Sequence, residues 1–240
     1  MTMLLRGMLL ALACALAGWA VVARAGGIMV PSAWPVLVAA LAALLAPLLW
    51  PGTASSSAGS VRRVLAWSAG CAAAVAGVLL LAAPAALPAP RSLAVAGMLG
   101  AMLVATHAAA ALLERVFGGT PTARTAIAGG AVTLMLALVA ALPLWLGPFA
   151  QLASAQHPWA DDAAVAISPL MHLAAAAGND LPRNDWFYAH SALASMQFDD
   201  LDPAWLAAAW LAVAVVLLAF VARPRRDTSP FVLPEEEPRR

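Results

Sequence analysis

The few charged residues of this chain fall in short breaks, and between the breaks lie apolar runs of about 17–22 residues. Runs of that length reach across a hydrocarbon core of about 30 Å at about 1.5 Å per residue. Lipid offers no partner to a bare amide or carbonyl, so a run that crosses it folds as a helix. Composition agrees: 63% of the 240 residues are hydrophobic and 10% charged, where a soluble domain carries roughly a quarter charged residues. The chain is expected to be an all-α, polytopic membrane protein with six transmembrane helices, at 7–23, 34–50, 64–83, 92–113, 126–147 and 204–222. A net charge of +1 leaves no large basic surface for nucleic acid; the expected partner is the lipid bilayer.

The breaks also set the orientation. With the N-terminus in the cytoplasm, the inner side receives Arg6, Arg62, Arg63, Arg115, Arg124, Arg223, Arg225 and Arg226, and the outer side Arg24, Arg91 and Arg183. That asymmetry follows the positive-inside rule and predicts an inner-membrane protein with both termini cytoplasmic. The expected organisation is a five-span bundle over 1–147, an extracytoplasmic segment over 148–203, a sixth helix over 204–222 and a disordered tail over 223–240. The first run carries a second pattern, that of a cleaved signal peptide: Arg6, then Met8–Val22, then Ala23-Arg24-Ala25 before Gly26. The rest of the topology is the same either way. Between the second and third spans, Gly52–Ser60 reads as a flexible connector. Gly118-Gly119-Thr120-Pro121 lacks the spacing and the lysine of a phosphate loop and reads as a turn.

The one long polar interruption runs from Pro148 to Asp202. It holds seven of the twelve acidic residues, a single Arg183, three of the four histidines (His157, His172, His190) and Trp186-Phe187-Tyr188. Ser168-Pro169 pairs an N-cap residue with proline at the first helical position, and Gly178-Asn179 supplies a stop. The helix between them, about 14 Å long, is too short to cross and is expected to lie on or dip into the outer leaflet. A second surface helix is expected over Trp186–Gln197, with Trp186, His190 and Leu193 on one face. Asp202-Pro203 repeats the cap-and-proline device to begin the last span.

Four residues stand out as candidates. His107 is the ionisable residue well inside a span, about 9 Å from its inner end; such a group is a substrate-path candidate because burying it costs energy, and its plainer role is a hydrogen bond to a neighbouring helix. His172, Trp186 and His190 are the outer-segment candidates. Separations of 15 and 18 residues among His157, His172 and His190 match no local ligand spacing, so no metal site is expected. Asp161-Asp162 and Asp199-Asp200 suit helix N-termini. Neither a nucleophile with a positioned base nor HExxH is present, so no catalytic residue, no cofactor and no enzymatic activity are expected. Cys14 and Cys71 read as small packing residues. Small residues at Gly97, Ala101, Ala105 and Ala109, with Gly70, Ala74 and Gly129-Gly130, offer faces for close helix approach.

Six spans, both ends inside, and short helices between spans five and six resemble the permease subunit of ABC-2-type transporters. Ser168-Pro169-Leu170-Met171-His172-Leu173 is similar to the Asn/Ser-Pro-x-x-x-Leu stretch of that family's outer segment. The resemblance implies a transport component working as a homo- or heterodimer with a separate ATP-binding subunit, which would touch the break between spans two and three. That break is Gly/Ser-rich here, where the family has a coupling helix. The competing reading is an accessory or assembly subunit that docks on a larger membrane complex and transports nothing itself.

Overall fold

The computed structural model describes residues 3–24, 33–82, 87–143, 163, 166–179 and 202–224. Among these, every regular element is helical: α1 (Met3–Arg24), α2 (Ala33–Leu45) continued by a 3-10 turn (Ala46–Leu49), α3 (Ser57–Ala82), α4 (Ala89–Val116), α5 (Pro121–Ala140), α6 (Pro169–Ala177) and α7 (Pro203–Ala222). Helices α1, α3, α4, α5 and α7 are each long and apolar enough to cross a membrane. Their exposed faces carry Leu12, Leu16 and Trp19 on α1, Leu134 and Met135 on α5, and Val215 and Val216 on α7, which is how helices present themselves to lipid. The chain is a multi-pass membrane protein of the all-α class.

The second expected span differs. Its α-helix stops after 13 residues at Leu45 and tightens into the 3-10 turn. The cause is Pro47, which has no amide to give and whose ring crowds the preceding turn. In the 3-10 register its missing N–H leaves the Leu44 carbonyl open, and the Thr133 hydroxyl of α5 donates to that carbonyl at 3.0 Å. α5 comes close enough because Gly129 has no side chain: a Cβ there would lie 2.4 Å from the Pro47 carbonyl oxygen.

Two proline signatures place helix starts. Asp202 accepts from the Ala204 amide at 2.8 Å ahead of Pro203. Thr120 accepts from the Ala123 amide at 3.3 Å ahead of Pro121, so α5 begins five residues before the expected span and ends at Ala140. Gly118-Gly119 is the turn; Thr120-Pro121 is the cap.

α4 is the hub. It packs on α2, α3, α5, α6 and α7, and 67% of its apolar window is buried against 11% for α7. α7 is tied to it at one end by Arg115, whose guanidinium donates to the carbonyls of Phe220, Val221 and Arg223. Those are carbonyls at the end of a helix, where intrahelical donors run out, and a cation beside them also meets the negative end of the helix dipole.

Of the two places expected for α6, on a surface or dipping inward, its burial favours the second. Pro169, Met171, His172, Leu173, Ala174, Ala176 and Ala177 are all buried, and the helix wedges among α2, α4, α5 and α7. Its stop is as expected: Gly178 takes φ +65, where the Arg91 guanidinium lies so close that a Cβ would sit 2.7 Å from Cζ. Its start is not. The Ser168 hydroxyl leaves its own helix uncapped and donates instead to the Ala140 carbonyl at 3.1 Å, closing the end of α5. A run of four alanines at 174–177 lets the wedge fit, since methyl groups fill a narrow gap at no rotamer cost.

Candidate functional site

His107 sits midway along the hub helix with no exposed surface. Its Nδ1 shares a 2.8 Å hydrogen bond with the Ser68 hydroxyl of α3. Trp50, which follows the 3-10 turn, stacks on the imidazole at 5.5 Å between ring centroids and 19° between planes. Trp67 of α3 tilts against the ring at 6.4 Å. The Ala46 carbonyl stands beside the imidazole, short of hydrogen-bond geometry at Nε2, and the indole nitrogens of Trp50 and Trp67 have no partner among the described residues, although both tryptophans are buried. An indole nitrogen can only donate. The packed cluster around His107 therefore holds two indole N–H donors without acceptors, each costing about 1–3 kcal/mol while unmet.

Trp50 has a second face. It lines a cleft of about 530 Å³ together with Arg6, Leu48, residues 51–55, Glu114, Pro121, Arg124 and Thr125. Trp50 thus touches both the cleft and His107. The cleft wall is the Gly/Ser run, and it is held in place. The Glu114 carboxylate accepts from the Thr53 amide at 2.8 Å, Arg63 donates to the carbonyls of Gly52 and Thr53 at 3.0 and 3.1 Å, and the Ser60 hydroxyl bonds to both the amide and the carbonyl of Ala54. The connector reading is corrected accordingly: composition made it look free, and three side chains from α3 and α4 tie it down. Gly52 at φ +84 makes the bend, and α3 already begins at Ser57.

Seven residues separate His107 from Glu114, two helical turns, so both lie on one face of α4. Glu114 is 4% exposed. No family model, no curated protein and no solved structure matches the chain. Its chemistry is read from this polar line alone: cleft, Glu114, Trp50, then His107 with Ser68.

His172 is a different case, with every valence used. Its Nε2 donates to the Ala166 carbonyl at 2.7 Å, and its Nδ1 accepts from the Trp210 indole at 2.9 Å, pinning α6 to α7 with the rings edge to face. Accepting from an indole requires the neutral imidazole. Burial lowers the pKa of His172, against a smaller upward pull from the Ala166 carbonyl. A histidine that protonates more easily unfolded than folded gives stability that is complete above about pH 6.5 and declines as the pH falls below it. Melting temperatures in detergent from about pH 8 to about pH 5 are expected to fall, and His172→Gln is expected to flatten that fall. An unchanged slope in the variant would remove His172 from the acid response.

Trp186 and His190 lie outside the described residues, as do His157, the expected helix at Trp186–Gln197 and the tail from 225 onward. Among the described residues, no three His, Cys, Asp or Glu side chains gather where a metal could be held. Cys14 and Cys71 are free and buried. Sequence reasoning found His107 and missed Trp50, Trp67, Ser68 and Glu114. The seven-residue step from His107 to Glu114 was a visible signal; the pairing of positions 68 and 107 across two helices was not.

Proposed function

We propose that the chain is a membrane transport component, resembling an ABC-2-type permease subunit driven by a separate ATP-binding subunit. The observation that carries this reading is the buried, donor-rich cluster at His107, packed against Trp50, which also lines a polar cleft at the arginine-bearing end of the bundle. A soluble core fills its hydrogen bonds; unmet donors deep in an apolar bundle suit a place that a solute or its accepting oxygen reaches transiently. Movement of Trp50 would open a way from the cleft to His107, and the loop at 51–56, fixed to Glu114 and Arg63, is the element through which an outside subunit would move it.

In this reading α2 with its 3-10 turn is the sixth crossing, at about 20 Å of α-helix plus about 8 Å of tighter turn. The end bearing Arg6, Arg63, Arg115, Arg124 and Arg223 faces the cytoplasm, both termini with it, in the inner membrane. Two copies, or one copy and a relative, would form the working unit.

The test is purification of the tagged chain from its native membrane with identification of what accompanies it. A nucleotide-binding ATPase in fixed ratio is expected, lost when Arg63 or Glu114 is changed to alanine. A large complex without an ATPase would overturn the transport reading in favour of an accessory subunit.

A further inference from the structure

The cleft beside Trp50 has its own unmet chemistry, independent of whether anything is transported. Glu114 stands in the last turn of α4, where the helix dipole disfavours a carboxylate, and it is almost wholly buried. Holding the Thr53 amide uses one oxygen, Oε2. The other, Oε1, has no partner. A buried carboxylate left half-bonded is costly unless a donor or a positive charge reaches it. Arg6 and Arg124 line the same cleft, yet among the described residues neither forms an ion pair with it or with anything else. The cleft therefore presents a carboxylate asking for a cation on its floor, two unpaired guanidinium groups on its walls, and the first turn of α5, whose positive dipole end favours an anion. Leu48, half exposed, forms an apolar lip.

We infer that this cleft binds a phosphoethanolamine group, with the primary ammonium donating to Glu114 Oε1 and the phosphate held by Arg6 and Arg124. Two opposite charges a few bonds apart in one ligand match the two opposite demands of the site, which neither a simple anion nor a simple cation does. A primary ammonium is specified because it has N–H donors for the carboxylate; a quaternary ammonium has none and would depend on an aromatic face, which Trp50, 3% exposed, hardly offers. The same group exists as the headgroup of a membrane lipid and as a water-soluble ester. The position at the arginine-bearing end of the helices, with Leu48 as the lip, suits a headgroup whose chains run down into the bilayer.

Native mass spectrometry on the whole chain, released from nanodiscs of defined lipid, tests this. Phosphatidylethanolamine is compared with phosphatidylglycerol and phosphatidylcholine, and glycerophosphoethanolamine is added as the soluble arm. One retained phosphatidylethanolamine per chain is expected, weakened about tenfold by Glu114→Gln, which keeps an oxygen for Thr53 and loses the charge. Arg124→Ala, at the exposed start of α5, is expected to weaken it similarly. Retention of the soluble ester in preference to the lipid would support the chemistry and assign the other source. Equal retention of all three lipids, or binding indifferent to both variants, would overturn the proposal.

Discussion

Changing Gly129 to alanine lowers the melting temperature of the detergent-solubilised bundle by about 2–12 °C, while the same change at Gly130 leaves it level or raises it. The first figure combines the usual cost of overpacking, about 1–3 kcal/mol and occasionally more, with about 2–4 °C per kcal/mol for a chain of this size. The contact that decides it is unusually hard. A Cβ at 129 would stand 2.4 Å from the Pro47 carbonyl oxygen and 3.2 Å from its carbon. Both belong to the backbone of a 3-10 turn, so no side chain can rotate away. Relief requires α5 to lift off the turn, which would also break the bond from Thr133 to the Leu44 carbonyl and shift Trp50 against His107. At Gly130 an added methyl meets nothing within 4 Å, and alanine is the better helix former by up to about 1 kcal/mol. Equal losses at the two positions would mean that α5 does not sit on the turn.

Under the transport function proposed above, His107→Leu is expected to give folded protein in normal yield and to lose flux. Leucine has nearly the volume of the imidazole, so the stacking space between Trp50 and Trp67 stays filled, at a cost of about 1.5 kcal/mol or less. Ser68, left without its ring partner, can turn its hydroxyl to a carbonyl one turn back in α3. Alanine is the poorer test, since a fully buried ring replaced by a methyl leaves a cavity costing about 3–5 kcal/mol, and lost function would then report lost structure. Flux in proteoliposomes, compared with the same variant's melting temperature, separates the two. A His107→Leu protein that transports normally would reduce His107 to a packing residue.

Much of the fold was legible because lipid makes run length a strong constraint. Twenty apolar residues bounded by arginine become a helix, and the ends were off mainly where helices continue past the apolar run, as α3 does back to Ser57. The misreadings were local chemistry outvoted by composition. Pro47 lay within an otherwise good run, and its effect on hydrogen bonding was overlooked. Thr120-Pro121 carries the same start signal as Asp202-Pro203, and the two preceding glycines concealed it. The Gly/Ser run had every mark of a loose connector; what holds it is a carboxylate 61 residues away, at Glu114. The length of α6 forbids crossing and leaves a surface position or a dip into the bundle equally open; its alanines fit the wedge that is found. For the site, an isolated histidine in an apolar run announced itself, whereas Trp50, Trp67 and Ser68 come from two other segments and can be joined to it only in three dimensions.

Everything rests on the chain crossing the bilayer with its arginine-bearing end inside. In a chain freed of Cys14 and Cys71, single cysteines at Ser55, on the cleft loop, and at Arg91, beside Gly178 at the opposite end, are exposed to a membrane-impermeant maleimide in sealed cells. Cysteine 91 is expected to label at once and cysteine 55 only after the membrane is opened. Labelling of position 55 from outside, or of both positions from one side, would contradict the account.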